Sequence, residues 1–356
     1  SSSRPNLQSI SSRREADYRR IMGYWEDIKE TAEREARGQY LDVLGQPCYA
    51  HPIRSILKAS PGHVLVEADY TGAELAAIAW LSGDMRMIEH VRRNVLPEDH
   101  PDYYDIHSNQ AVNAFHLTCP PTKKGLKSIG KSQLRVAAKN VIFGVPYGRG
   151  AEAISRQCKE EGVDATADEC QMIIDAYYAQ YPLTRPFLDS CEERTQNPRW
   201  MAGSYGRYRR FQPTRNRTVE SDQRRQGKNF PIQNCVADAV WTAIYNFRQF
   251  RTEPDCVPYR LLMQVHDSLL FEVAIRDLSR FIVDDLDATG AVIRNSILRE
   301  CMIKRVPVWP RSLDNRPIAV AAPYNFGIDF KVQLNWGESI SEQAAVEAGI
   351  PAELVA

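Results

Sequence analysis

Between His63 and Asp69, apolar Val64, Val66 and Ala68 alternate with Leu65, Glu67 and Asp69, a two-residue period that predicts a strand. Glu74, Leu75, Ile78 and Leu81 then fall on one helical face, so the spacing predicts a helix over Thr71–Leu81. Gly125–Tyr147 reads as one long helix and Ala151–Tyr181 as helical and partly acidic. Ile232, Val236, Val240 and Ile244 recur every four residues and predict a helix over Val219–Gln249. Two apolar runs flanking His266-Asp267 predict a β-hairpin over Tyr259–Val273, and Leu278–Val306 reads as a long helix. Ser1–Ser12 looks irregular, and Arg13–Arg37 is charged and helix-prone. Asp84–Thr122 is Pro-rich with short helices, and Asn197–Thr218 carries the Gly, Pro and Arg of loops and a hairpin. A strand-bearing core interrupted by a long helical stretch predicts one split domain with an insertion.

Composition narrows this only in part. A chain of 356 residues suggests two domains. Its 43% hydrophobic residues suffice for a core, and 25% charged residues argue against wholesale disorder. No apolar run reaches the roughly 18 residues of a membrane span. The eight cysteines are scattered without a CxxC pair and read as reduced, mostly buried thiols. Formal net charge is zero, so any attraction for nucleic acid must be local. The opening SSSRPNLQSISSRR is rich in Ser and Arg and free of acid, the composition of a transit peptide.

Three segments carry chemistry. Asp69 ends an apolar strand and Asp267 sits at the tip of an apolar hairpin, which sets both at a sheet edge. Alone, each reads as a turn or cap residue. Held together, two carboxylates repel unless cations lie between them. Two Mg²⁺ ions about 3.5–4 Å apart would relieve that repulsion, activate a hydroxyl and stabilise a leaving pyrophosphate. Arg135, Lys139, Phe143 and Tyr147 follow one another at four-residue spacing and form one slowly turning stripe, phosphate-binding at one end and base-stacking at the other. His107 adds a further phosphate contact. The competing reading is an amphipathic helix with a solvated basic edge. Gly144 and Gly148 count against it, since each costs roughly 1 kcal/mol in a helix interior and invites close packing. Arg207–Lys228 holds eight basic residues, Arg207, Arg209, Arg210, Arg215, Arg217, Arg224, Arg225 and Lys228, against Glu220 and Asp222, with Tyr205, Tyr208 and Phe211 interleaved. That is a footprint for a phosphate backbone. Asn229 and Gln233 follow, one helical turn apart, and suit minor-groove acceptors.

At these residues the chain resembles the family A (DNA polymerase I-like) DNA polymerases. Asp69-Tyr-Thr-Gly-Ala-Glu74-Leu is similar to motif A (DYSQIEL), and Arg135-x3-Lys139-x3-Phe143-Gly-x2-Tyr147-Gly to motif B. Gln264-Val-His266-Asp267 is similar to motif C (QVHDE), and Arg225-x3-Asn229-x-Pro-x-Gln233 to the RxxxNxPxQG segment. Ser1-Ser-Ser-x-Pro-Asn6-Leu-Gln8 resembles SSSxPNLQ, which sets the transit peptide aside. The resemblance implies an α/β (α+β) fold, a right-hand polymerase palm with a small antiparallel sheet plus a helical fingers insertion. Residues 1–85 would be the first part of the palm, 86–205 the fingers with the motif B helix at 125–147, and 206–356 the rest of the palm with the motif C hairpin at 259–273. By the same resemblance Asp69 and Asp267, assisted by the Tyr70 carbonyl, hold two Mg²⁺ ions, for which Mn²⁺ can substitute. Arg135, Lys139 and His107 hold the triphosphate, Phe143 and Tyr147 border the nascent base pair, and Glu74 is the steric gate against a 2′-hydroxyl. Asn6, Gln8, Arg207, Arg209, Arg210, Arg225, Asn229 and Gln233 track primer-template, with His266 at the primer terminus.

Several positions depart from the family pattern. Ser268 replaces the acid after Asp267, Gly72 and Ala73 replace Gln-Ile, and Ala76 replaces an Arg. Pro146 should bend the end of the motif B helix. The chain starts inside SSSxPNLQ, so the thumb and 3′–5′ exonuclease domain of the family are expected to be absent, with a second polypeptide, an excised segment or a truncation as the explanation. The expected function is template-directed addition of dNTPs to a primer 3′-OH without proofreading, in the cytoplasm of a bacterial or phage-infected cell or in an organelle, with no membrane partner. The alternatives are a phage-type single-subunit RNA polymerase, against which Glu74 argues because it would crowd a ribose, and a non-catalytic nucleic-acid-binding subunit.

Overall fold

The computed structural model describes residues 57–96, 98–309, 311–317, 323–337, 340, 342–351 and 354, together with a short antiparallel ladder between Tyr40–Leu41 and Pro47–Cys48. Asn6, Gln8, the irregular start at Ser1–Ser12 and the helix expected at Arg13–Arg37 lie outside the described residues.

In chain order, β1 (His63–Tyr70) leads through Gly72 into α1 (Ala73–Ser82). Gly72 has φ 56, a left-handed conformation that costs a residue without Cβ nothing. Next come α2 (Met85–Asn94), α3 (Ile106–Ala114), α4 (Lys123–Ser128) and α5 (Ser132–Gly144). They are followed by α6 (Ala151–Glu160), α7 (Ala167–Gln180) and α8 (Thr184–Glu193). A hairpin of β2 (Trp200–Ala202) and β3 (Tyr208–Arg210) precedes the long α9 (Arg217–Phe250). The chain continues through β4 (Tyr259–Val265), β5 (Ser268–Ala274), α10 (Leu278–Ile282), β6 (Asp285–Leu286), β7 (Val292–Arg294) and β8 (Ile328–Gln333).

Two of the expected long helices are broken. Gly125–Tyr147 is interrupted at Ile129–Lys131, where Gly130 adopts φ 69, and Val145–Tyr147 tightens to a 3₁₀ turn around Pro146. Leu278–Val306 is broken by the β6–β7 hairpin. There the Asp287 carboxylate accepts from Thr289 N (2.8 Å), Thr289 Oγ1 (2.6 Å) and Ala291 N (2.9 Å). An Asp that bonds its own turn in this way offers the backbone an alternative to the helix. Ala151–Tyr181 splits into two helices at Gly162, φ 75.

Two compact units emerge, one formed by 1–69, 246–301 and 328–356, the other by 70–245 and 302–327. The functional boundaries expected at 85/86 and 205/206 do not coincide with these lines. The first unit is built on a four-stranded sheet of order β8-β1-β5-β4. The pairs β1·β5 and β4·β5 are antiparallel. One sheet face buries Leu65, Val265 and Leu270 against Trp336. The other carries Phe271, packed against Phe247, Tyr259 and Phe281 with ring centroids 4.6–6.1 Å away. Each fully buried aliphatic or aromatic side chain here contributes roughly 1.5–3 kcal/mol.

The second unit is mostly helical. Gly227 of α9 meets the α8 end closely: a Cβ there would lie 2.3 Å from Thr195 Cγ2 and 2.9 Å from the Cys191 carbonyl oxygen. Cys119, Cys158, Cys170, Cys191, Cys235, Cys256 and Cys301 form no disulfide, and five of these seven are buried. Among those residues no helix is long and apolar enough to cross a membrane.

Candidate active site

In the first unit, register decides the geometry. Asp69 of β1 pairs with Ser268 of β5, and Val265 pairs with Ser268. The hairpin loop is therefore His266-Asp267, and Asp267 is the immediate neighbour of the residue opposite Asp69. Two-residue hairpin loops require positive φ at the first central position to match strand twist. His266 meets this with φ 55, an uncommon conformation for a residue bearing Cβ. Two side-chain bonds fix the turn: Ser268 Oγ donates to the Val265 carbonyl (2.9 Å) and Gln264 Nε2 to the His266 carbonyl (3.1 Å).

Asp69, His266 and Asp267 line one cleft of about 430 Å³, which Glu67, Ser268, Asp329 and Lys331 also line. β8, which brings Asp329 and Lys331 to the cleft, is not among the elements expected from the sequence. The alternation Ile328, Phe330, Val332 against Asp329, Lys331, Gln333 was the available signal. Among the described residues no three Asp, Glu, His or Cys side chains close on one point as a ready metal site. A pair of carboxylates still fits Mg²⁺, which takes one or two of them and completes its shell with water and phosphate oxygens. Ser268, at the position of the family's second acid, is buried and spends its hydroxyl within the turn.

In the second unit, α5 carries Arg135, Lys139 and Phe143, and Tyr147 lies in the 3₁₀ turn that follows. Arg135 is forked onto Asp105, Nε to Oδ2 at 3.0 Å and Nη2 to Oδ1 at 3.2 Å, with Ser108 Oγ 3.2 Å from Nε. Asp105 also caps α3 through Ser108 N. Its burial would raise the carboxyl pKa, but hydrogen bonds from Arg135 and Ser108 outweigh that and hold it below the usual range. His107, in the first turn of α3, approaches Phe143 at 5.9 Å between ring centroids. Burial, reinforced by the Arg135 charge, brings its pKa down to about 4. The ring is therefore neutral at physiological pH and can offer a phosphate an N–H but no charge. Lys139 is exposed and forms no ion pair among the described residues.

Gln233 of α9 donates to both the Glu74 carboxylate and the Tyr147 hydroxyl. Burial, then the bond and charge of Glu74, push the Tyr147 pKa well above its ordinary value. Three side chains far apart in sequence thus form one network. The glycines beside Tyr147 serve different ends: Gly144 receives the Ile154 side chain, at 3.2 Å from a notional Cβ, and Gly148 ends the turn with φ 72. Tyr70 is buried and its hydroxyl donates to the Met302 carbonyl (2.8 Å).

The basic segment is less free than its composition suggests. Arg207 pairs with Asp238 (2.8 Å), Arg224 with Glu192 and Glu220, Arg225 with Asp222, and Lys228 with Glu192. Glu192 and Asp238 come from outside the segment, so a local count of charge overlooks them. Arg209, Arg210, Arg215 and Arg217 form no ion pair among the described residues. Arg209 instead bonds Gln226. Asn229 keeps its Oδ1 buried without a partner among those residues.

Comparison with known proteins bears on this arrangement. The DNA polymerase of Escherichia phage T5 is 32% identical over 61% of this chain and 26% of its own length. DNA polymerase I of Treponema pallidum is 30% identical over 62% of this chain and 20% of its own, and that of Geobacillus stearothermophilus 27% identical over 64% and 24%. This chain thus spans about a quarter or less of the length of these relatives. Among solved structures, the POL domain of Pol1 from M. smegmatis, in complex with DNA primer-template and dNTP, shares the fold with a TM-score of 0.61 and 22% identity, covering 95% of this chain and 45% of that one. The family description DNA polymerase family A matches residues 1–300. The chain belongs to DNA polymerase family A.

Proposed function

We propose that the chain is the catalytic portion of a template-directed DNA polymerase, adding dNTPs to a primer 3′-OH with release of pyrophosphate. The observation that carries this reading is the β1·β5 register, Asp69 opposite Ser268, which sets Asp69 and Asp267 on one cleft. In this reading the first unit is palm and the helices of 86–205 are fingers. Asp69 and Asp267, with the Tyr70 carbonyl, would hold two Mg²⁺ ions, and Mn²⁺ would substitute. Bound there, the ions would lower the pKa of the primer hydroxyl and neutralise charge on the leaving pyrophosphate.

The remaining work falls to the chain's own groups. Lys139 supplies a point charge to the triphosphate and Arg135 the donors left over from its fork with Asp105. His107 contributes a neutral N–H. Phe143 and Tyr147 stack at the nascent base pair. Glu74, held by Gln233 and Tyr147, crowds a 2′-hydroxyl and favours deoxyribose. His266 meets the primer terminus, and Asn6, Gln8, Arg207, Arg209, Arg210, Arg225, Asn229 and Gln233 follow primer-template DNA. The test is primer extension on a recessed template with dNTPs and Mg²⁺. Extension that requires the template and stops on chelation supports the reading. Failure to extend, with primer-template binding intact, would refute it.

A further inference from the structure

The 28 Å or so of α9 between Gln226 and Tyr245 ends in two exposed aromatic side chains that the catalytic reading leaves unused. Trp241 and Tyr245 are 61% and 60% exposed, although large aromatics are ordinarily withdrawn from water. They stand one turn apart, about 6 Å along the axis, and line one groove of about 430 Å³ with Tyr205, Arg207, Asp238 and Thr242. The Tyr205 hydroxyl, at this groove, is buried with no hydrogen-bond partner among the described residues. Arg207 leads directly into β3, where Tyr208 is 54% exposed and Arg209 and Arg210 form no ion pair among those residues. Arg209 reaches α9 at Gln226, and Arg207 reaches it at Asp238 (2.9 Å). A track therefore follows the helix, cationic at one end and aromatic at the other.

We infer that this track binds single-stranded DNA, with Trp241 and Tyr245 each stacking one unpaired base. Arginines along a groove attract a backbone of any sequence, and aromatic faces accept any base. A protein partner would also favour Trp, Tyr and Arg, but the adjoining unpaired arginines complement a polyanion. Asp238 does not oppose this, because Arg207 neutralises it. The inference extends the polymerase reading by naming where an unpaired template strand would lie.

The experiment measures binding of labelled dT15, of an abasic strand of equal length and of a blunt duplex by fluorescence anisotropy, in EDTA. Stacking is worth on the order of 5- to 100-fold per base, so Trp241→Ala/Tyr245→Ala should weaken dT15 binding by at least tenfold. Its dependence on salt should not change, nor should binding of the abasic strand or the duplex. Trp241→Phe/Tyr245→Phe should retain most of the affinity and excludes misfolding as the cause. Unchanged dT15 affinity in the Ala variant would overturn the inference, as would an equal loss on the abasic strand. So would loss of self-association by sedimentation at unchanged dT15 affinity, which would make the patch a protein interface. Primer extension by the unmodified chain is scored separately, so the polymerase reading and this one can fail independently.

Discussion

Replacing His107 by Phe should remove a specific acid sensitivity. The ring is partly buried, its Nδ1 has no hydrogen-bond partner among the described residues, and its pKa is about 4 against about 6.5 in an unfolded chain. The folded value lies below the unfolded one, so between them the native state binds fewer protons and stability falls as the pH is lowered. Above pH 6.5 the term is negligible. At pH 5 linkage gives about 2 kcal/mol, approaching about 3 near pH 4, upper values because the ring is not wholly withdrawn from water. Phe retains the packing on Phe143 and cannot titrate. Urea unfolding of both proteins from pH 7.5 to 4 isolates the term, because carboxylate contributions cancel in the difference. The variant should gain about 2 kcal/mol on the wild type between pH 7 and 5. A flat difference, or a wild type that gains, would refute the assignment of a neutral, buried imidazole.

Gly227→Ala should destabilise by about 1–3 kcal/mol, because overpacking against Thr195 and the Cys191 carbonyl outweighs the helix-propensity gain; a stabilised variant by calorimetry would contradict the close approach. Asp105→Ala should cost about 2 kcal/mol or more, since it removes an N-cap and strands Arg135; urea unfolding indistinguishable from wild type would rule that pair out as a support. Neutralising Arg209 and Arg210 should weaken duplex binding for all sequences alike and flatten its log–log salt slope by about 1.8; a sequence-selective loss would contradict backbone contact. Glu74→Ala should raise incorporation of rNTPs relative to dNTPs, and an unchanged ratio would remove Glu74 as the sugar gate.

Short-range pattern made the strands that carry Asp69 and flank Asp267 legible. Alternation over Val64–Asp69 and the apolar runs around His266-Asp267 carry strand and turn in the local sequence, and the structure has both elements with the two-residue loop between them. Helix continuity was harder to read. Gly130 and the Asp287 turn break helices through backbone conformations and side-chain bonds that a 3.6-residue period does not register. Long-range pairing was not legible at all. Nothing near Arg135 announces Asp105, nothing near Gln233 announces Glu74 and Tyr147, and Arg207 and Lys228 find Asp238 and Glu192 only once the chain has folded. Asp329 joined the cleft through a strand far along the chain from the other three, whose alternation is clear only once β8 is known to pair with β1.

In the proposed mechanism Asp69 and Asp267 act as one unit on shared ions. Mg²⁺-dependent primer extension by Asp69→Asn, Asp267→Asn and the double variant, each confirmed to bind primer-template, tests it most directly. Residues that act together lose function non-additively, so each single change should cost on the order of a thousandfold or more and the double no more than the worse single. Losses that multiply, or a single variant keeping a tenth of the activity, would contradict it.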